Sequence, residues 1–163
     1  GSDSIDTLAA RLAPVAAGAW HGFDVDTFPA LCAAALDQQG LFALTGAVHG
    51  AAAFDREGNV LIAREDVGRH NAVDKVVGRL LLDGRLPADG LGLFVSGRAS
   101  FEMVQKAWAG GFAVVLSVSA PTALAVQTAR RANLLLAGFV RGDHLNIYAP
   151  DKLPTPAVKS VTT

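Results

Sequence analysis

The sequence predicts an α/β fold of three layers, α/β/α, around a mixed sheet: an N-terminal β-hairpin followed by alternating helices and parallel strands. Three observations carry this. From residue 91 onward, unbroken apolar runs at 91–95, 112–118 and 134–140 alternate with stretches of helical character at 100–109 and 122–133. Runs without in–out alternation suit strands covered on both faces, and the strand–helix–strand succession makes neighbouring strands parallel through right-handed crossovers. Upstream, short apolar runs at 51–54 and 59–63 flank Asp55-Arg56-Glu57-Gly58, where Gly58 can take a positive φ, the signature of an antiparallel hairpin. A chain of 163 residues fits one domain with small appendages.

Taken in order, Ile5, Leu8 and Leu12 recur at helical spacing over 4–12, and Pro14 closes that element. After a loop through Gly18, His21 and Gly22, Asp26 or Thr27 can cap a second helix. That helix takes Pro29 in its first turn, carries Leu31, Ala34 and Ala35 on one face, and stops at Gly40. After the hairpin, a helix over 70–82 places Val73, Val76, Val77, Leu80 and Leu81 on one stripe, with Asp74, Lys75 and Arg79 facing outward as surface charges. A final strand can run over 144–148. The tail 150–163, with Pro154 and Pro156, has little to bury and is expected to be flexible.

Fourteen Lys and Arg stand against fifteen Asp and Glu, a formal net charge of −1. No global basic field exists to hold a nucleic acid by charge alone. No window approaches the run of about eighteen apolar residues that a membrane span needs, and no secretory pattern is visible. The single cysteine, Cys32, leaves no internal disulfide and no cysteine-rich zinc cage, which fits a reducing cytoplasm. Flanked by Leu31, Ala33, Ala34 and Ala35, Cys32 reads as core packing rather than as a nucleophile.

In a parallel sheet the strand-to-helix loops gather at the carboxyl ends of the strands, so the candidate site lies at that rim. Three loops there are rich in small and polar residues: 64–71, with Gly68, Arg69 and His70; 96–100, with Ser96, Gly97, Arg98 and Ser100; and 117–122, with Ser119 and Thr122. Each opens a helix, whose N-terminal N–H groups favour anions, and Arg69 and Arg98 can add forked contacts, so an anionic or nucleotide-like ligand is the natural guest. The serines and Thr122 read equally as caps and turn formers. His70 is a candidate general acid or base, and His49, between Thr45-Gly46 and Gly50, a secondary candidate. The four histidines and the carboxylates show no metal-ligand spacing, and nucleophile-elbow, Walker and dinucleotide fingerprints are missing. The hexad Phe139-Val140-Arg141-Gly142-Asp143-His144 ends the last apolar run. It can stack a purine on the phenyl face and hold its phosphate by charge, or simply turn the chain into the final strand.

The stretches TGAVHGAAAFD, REDVGRHNAVDKVVG, LFVSGRASFEMVQKA, SVSAPTALAV and GFVRGDHLNIYA resemble, in order and spacing, the formate dehydrogenase accessory sulfurtransferase family, FdhD or NarQ, from about Thr45 to Ala149. The resemblance implies a cytidine-deaminase-like core over 45–149 that binds a cofactor, preceded by a helical segment over 1–44; the zinc ligands of deaminases are not matched. It further implies a dimeric cytoplasmic maturation factor, in part a chaperone. Such a protein takes sulfur from a cysteine desulfurase and passes it to the molybdenum or tungsten bis-molybdopterin guanine dinucleotide cofactor of formate dehydrogenase. The guanine end of that cofactor is implied to lie on Phe139, Val140, Arg141, Gly142, Asp143 and His144, with GDP or GMP as a mimic. The convergence of loops at the rim adds Arg69, His70, Ser96, Gly97 and Arg98 to this expected site.

The family's sulfur-bearing C-x-x-C pair precedes a segment like 2–8, and Cys32 does not match it. The chain is therefore expected to be the cofactor-binding domain, cut just after the cysteine loop and inactive in sulfur transfer by itself. Two other classes compete: a metal-free nucleotide hydrolase or deaminase using His70, and a non-catalytic scaffold docking desulfurase to dehydrogenase.

Overall fold

The structure, a computed structural model, describes residues 2–151. All of the expected tail beyond Asp151 lies outside the described residues. Six strands form one mixed sheet in the order β2-β1-β3-β4-β5-β6. The hairpin is β1 (His49–Phe54) and β2 (Val60–Asp66), and β1 also pairs antiparallel with β3 (Gly92–Val95). From β3 the sheet runs parallel through β4 (Val114–Ser117) and β5 (Leu135–Arg141), as the alternating pattern predicts. Finally β6 (His144–Ala149) folds back antiparallel on β5.

The crossovers carry α4 (Arg69–Leu82), α5 (Phe101–Gly110) and α6 (Ala123–Ala132). Strands β3, β4 and β5 advance in one direction, so right-handed crossovers put α5 and α6 on the same face. There Val73, Val76 and Leu80 of α4, Met103, Val104 and Ala107 of α5, and Ala125 and Ala129 of α6 cover Leu93, Val95, Val115 and Leu136. The opposite face is covered by α2 (Phe28–Asp37), which lays Phe28, Leu31, Cys32 and Ala35 over Phe94, Leu116, Leu135 and Ala137. Phe23, Phe28 and Phe54 close that layer with ring centroids 5.9 to 6.5 Å apart. A first helix, α1 (Ser2–Arg11), and the chain after it are tied to the α5/α6 layer: Trp108 Nε1 donates to the Ala13 carbonyl at 2.8 Å, and the Val15 N–H to that of Ala132 at 2.9 Å. Among the described residues no helix is long and apolar enough to cross a membrane.

Several local expectations change. Gly40 does not end α2, which stops at Asp37; it begins a further short helix, α3 (Gly40–Thr45). The reason is non-local: the Glu65 carboxylate, on β2, accepts from the N–H groups of Leu41 (2.9 Å) and Phe42 (3.0 Å). The side chains of Asp26 and Thr27 do not cap α2. Asp24 accepts from the Asp26 N–H, and Thr27 donates its hydroxyl to the Asp24 carbonyl. The buried face of α2 runs i, i+3, i+4, i+7 from Phe28, which leaves Ala34 exposed. Leu81 is 64% exposed because it sits about 100° round α4 from Leu80, off the Val73, Val76, Leu80 stripe that faces the sheet.

Candidate functional site at the carboxyl rim of the sheet

The segment Glu65–Lys75 concentrates charge, and most of that charge builds the turn into α4. Asp66 accepts from the Gly68 N–H at 2.9 Å and the Asn71 side-chain amide at 3.2 Å, and pairs with Lys75 at 2.7 Å. Lys75 also donates to the Glu65 carbonyl at 2.8 Å. Asp74 pairs with Lys106 across α4 and α5. These side chains set the start of α4 and clamp α3, so Asp74 and Lys75 are partnered charges of two different contacts. The Lys75 hydrogen bond, then the Gly68 N–H and Asn71, pull the Asp66 carboxyl down to about 2. Because its folded value is depressed, Asp66 stabilises the protein above its unfolded pKa, about 3.9, and that stabilisation is lost as pH falls through 2. In melting experiments between pH 5 and pH 2, Asp66→Asn is expected to flatten the acid limb of the stability curve; an unchanged limb would refute this role.

What remains at the mouth of α4 is Arg69 and His70. Gly97, in the β3–α5 loop, faces Arg69 and His49: a Cβ placed on it would lie 3.5 Å from His49 Nδ1 and 3.7 Å from Arg69 Cδ. The same loop is braced from below. The Gly97 carbonyl accepts the hydroxyl proton of buried Ser117 at 2.6 Å, and Ser96 is a strut whose hydroxyl accepts from the Gly50 N–H at 2.9 Å. Thr122 is the cap that the sequence allowed for, accepting from the Ala125 N–H at 3.1 Å; Ser100 precedes α5 without a side-chain cap bond to it. Arg98 is exposed on the loop. Glu102, in the first turn of α5, was not singled out in the sequence, where an acid in a helix's first turn was the available signal. Its own backbone N–H holds its carboxyl below the usual range, with the charges of His70 and Arg69 adding to the effect.

The hexad reaches the same rim. Ser119, bonded to Ser117, offers its carbonyl to the Phe139 N–H at 3.2 Å, and Gly138 lies bare against Pro121, Ser119 and Tyr148. Hydrogen bonds therefore run from Gly97 through Ser117 and Ser119 to Phe139, and the Arg69 stem stands beside Gly97. Phe139 takes φ +52°, a left-handed conformation unusual for a bulky side chain, and its ring is 42% exposed. Arg141 pairs in register with His144 around Gly142-Asp143; Gly142, at φ +54°, occupies the turn position that favours glycine. Arg141, Gly142, Asp143 and His144 are exposed at this hairpin, whereas the Val140 side chain is buried in the α2-side core and can offer a ligand only its backbone. Cavities of about 340 Å³ (beside Trp20 and Arg130), 580 Å³ (beside Pro14 and Trp108) and 650 Å³ (beside Arg64 and Leu82) lie away from these residues.

A family model described as the FdhD/NarQ family matches residues 1–153. The chain belongs to the FdhD/NarQ family. It is 48% identical to the sulfur carrier protein FdhD of Anaeromyxobacter dehalogenans over 91% of this chain and 53% of that protein. With the FdhD of Corynebacterium efficiens it shares 53% identity over 69% of this chain and 41% of the relative. A crystal structure described as a formate dehydrogenase accessory protein, from Desulfotalea psychrophila, superposes with a TM-score of 0.75 at 30% identity. That likeness covers 90% of this chain and 60% of the other. The chain spans about half the length of the curated FdhD relatives it matches.

Within this FdhD/NarQ chain Cys32 is 2% exposed, and burial pushes its thiol up to about 12. A thiol kept protonated and covered is a poor acceptor of sulfur. Cys32 is expected to resist a thiol reagent such as Ellman's in the native protein and to react fully in denaturant; rapid native labelling would contradict its placement.

Proposed function

We propose that this chain is the portion of a sulfur carrier that grips the bis-molybdopterin guanine dinucleotide of molybdenum or tungsten while that substrate receives sulfur. The sulfur comes from a cysteine desulfurase, and the loaded group goes to formate dehydrogenase. The carrier is a cytoplasmic homodimer. The observation that carries the reading is Phe139: an exposed ring on strained backbone, pinned through its N–H to Ser119 and followed two residues later by Arg141. Strain of this kind persists where surrounding structure holds it, and it clusters at ligand sites.

The ring offers an apolar face on which a purine stacks, and the guanidinium of Arg141 offers a fork for phosphate oxygens. Both are exposed, two residues apart, just before the hairpin turn at Gly142. Sulfur itself must ride on a thiol other than Cys32, so the work of these residues is to bind and orient. The names of the relatives, all sulfur carrier proteins, support the carrier role; the rim supports the grip.

The test is titration calorimetry with GDP and GMP. Binding in the micromolar to millimolar range is expected, with Arg141→Ala weakening it about ten-fold, the loss of one charge-assisted contact. Absence of heat with both nucleotides, together with no thermal protection by either, would overturn the proposal.

A further inference from the structure

At the edge of the sheet opposite the Phe139 hairpin, a groove of about 650 Å³ runs between β2 and the outer side of α4. Its apolar part is uncovered: Leu81 and Leu82, in the last turn of α4, are 64% and 81% exposed. Lys75, Gly78 and Leu81, three residues apart, form the stripe of α4 that lines it. Gly78 is the anomaly. It lies in the interior of the helix, where only proline is less favourable, and a Cβ placed on it would meet nothing within 4 Å. Nothing among the described residues needs it bare. A bare stretch of helix backbone lets a second helix pack closer than a side chain would allow.

The charges select the guest. Arg64 is exposed and has no carboxylate partner among the described residues; its guanidinium donates to the Ala63 carbonyl at 2.7 Å. Lys75 and Arg79 add two cations, paired with Asp66 and Asp83, while the Glu65 carboxylate beside them is turned onto the N–H groups of Leu41 and Phe42. A carboxylate brought by a guest therefore finds Arg64 unanswered. An extended strand fits poorly, although β2 is an edge: the carbonyls of Ala63 and Glu65, two residues apart and so open to the same side, are already held by Arg64 and by Lys75. A second copy fits poorly too. An antiparallel two-fold crossing at Gly78 sets Leu81 and Leu82 against Lys75 and Asp74 of the other copy, and a parallel one sets Lys75 and Arg79 against themselves.

We propose that the groove between α4 and the β2 edge docks an acidic amphipathic helix of a different protein. The apolar stripe of that helix covers Leu81 and Leu82, its backbone crosses α4 at Gly78, and its carboxylates meet Arg64 and share Lys75 and Arg79. The surface is independent of the nucleotide reading, since it lies at the other edge of the sheet and uses none of the hairpin residues. Docking here leaves the Phe139 hairpin open, so a partner and a small ligand can be held at the same time.

The probe is a labelled synthetic helical peptide of about 18 residues, with leucines at i, i+3, i+4 and i+7 and glutamates beside them, read by fluorescence anisotropy against a counterpart carrying lysine for each glutamate. The acidic peptide is expected to bind the wild type about ten-fold more tightly than the lysine peptide. Gly78→Leu, which blocks the crossing at a position where a Cβ meets nothing in the fold, is expected to weaken the acidic peptide about ten-fold while melting at or above the wild type. Arg64→Glu is expected to abolish the preference for the acidic peptide, and Leu82→Ser to weaken both peptides. No binding, equal binding of the two peptides, or binding indifferent to Gly78→Leu and Arg64→Glu would overturn the proposal. Two further arms assign the groove to another occupant if the proposal fails. Self-association of the wild type that Gly78→Leu breaks and the acidic peptide does not compete with would give it to a second copy. Peptide binding only after truncation beyond Asp151 would give it to residues 152–163 of the same chain.

Discussion

Gly92→Ala is expected to destabilise the protein by about 3 kcal/mol, a fall in Tm of roughly 10 °C for a domain of this size. Gly92 opens β3 and pairs in register with Phe54 of β1, whose ring lies flat over it; a Cβ there would overlap Phe54 Cζ and both Cε atoms. The ring cannot yield cheaply. Phe54 is 1% exposed and wedged edge-on between Phe23 and Phe28, with centroids at 5.9 and 6.3 Å. The added methyl must therefore push either the β1–β3 ladder or the aromatic layer. Phe54→Leu in the Gly92→Ala background is expected to recover part of the loss, because the smaller side chain makes room, so the two substitutions are not additive. Chemical denaturation of the four proteins of this cycle measures the coupling. A Gly92→Ala variant as stable as the wild type would show that the aromatic layer is looser than its contacts indicate.

Phe139→Gly and Phe139→Ala are expected to lose GDP affinity alike and to differ in stability. A left-handed φ costs a residue with a side chain roughly 1–2 kcal/mol, which glycine does not incur, while both variants lose the covered part of a ring that is 42% exposed. Against the relief of strain stands the greater freedom of glycine in the unfolded chain, so Phe139→Gly should melt at or slightly above Phe139→Ala. Stacking of a base on an aromatic ring is worth roughly 1–3 kcal/mol, so GDP affinity should fall by about ten-fold to a hundred-fold. Phe139→Ala keeps the backbone strain and loses the ring, and should lose the same affinity. Should both variants unfold more readily than the wild type and bind GDP as before, Phe139 would be an anchor for the hairpin and not a ligand platform.

How much of this was legible in the residue order differs from element to element. The stripe Val73, Val76, Leu80 on α4 and the apolar runs that became β3, β4 and β5 were readable because helix and strand impose their own period on whatever must be buried. Gly142 signalled the β5–β6 turn for the same local reason. The charges between Glu65 and Lys75 looked like chemistry, yet Glu65 caps α3 from 23 and 24 residues away, and Asp66, Asn71 and Lys75 brace one turn. Within the expected site, Arg69, Gly97 and Phe139 proved to be linked, Ser96 proved to be a strut, and the Val140 side chain went to the core. Glu102 went unseen although its place in the first turn of a helix was a signal, and the unanswered Arg69 Nε went unseen because whether a donor finds an acceptor is not written in the residue order.

By itself the sequence determined the α/β layering, the parallel run of strands, the family, and the rim as the place where the loops meet, since these follow from periodicity, handedness and long motifs. Only the tertiary structure decided which polar residues at that rim are used up in holding it together and which are left over. A hydrogen bond is a property of two groups in space, and at this rim the partners come from loops far apart in the chain: Gly50 with Ser96, Gly97 with Ser117.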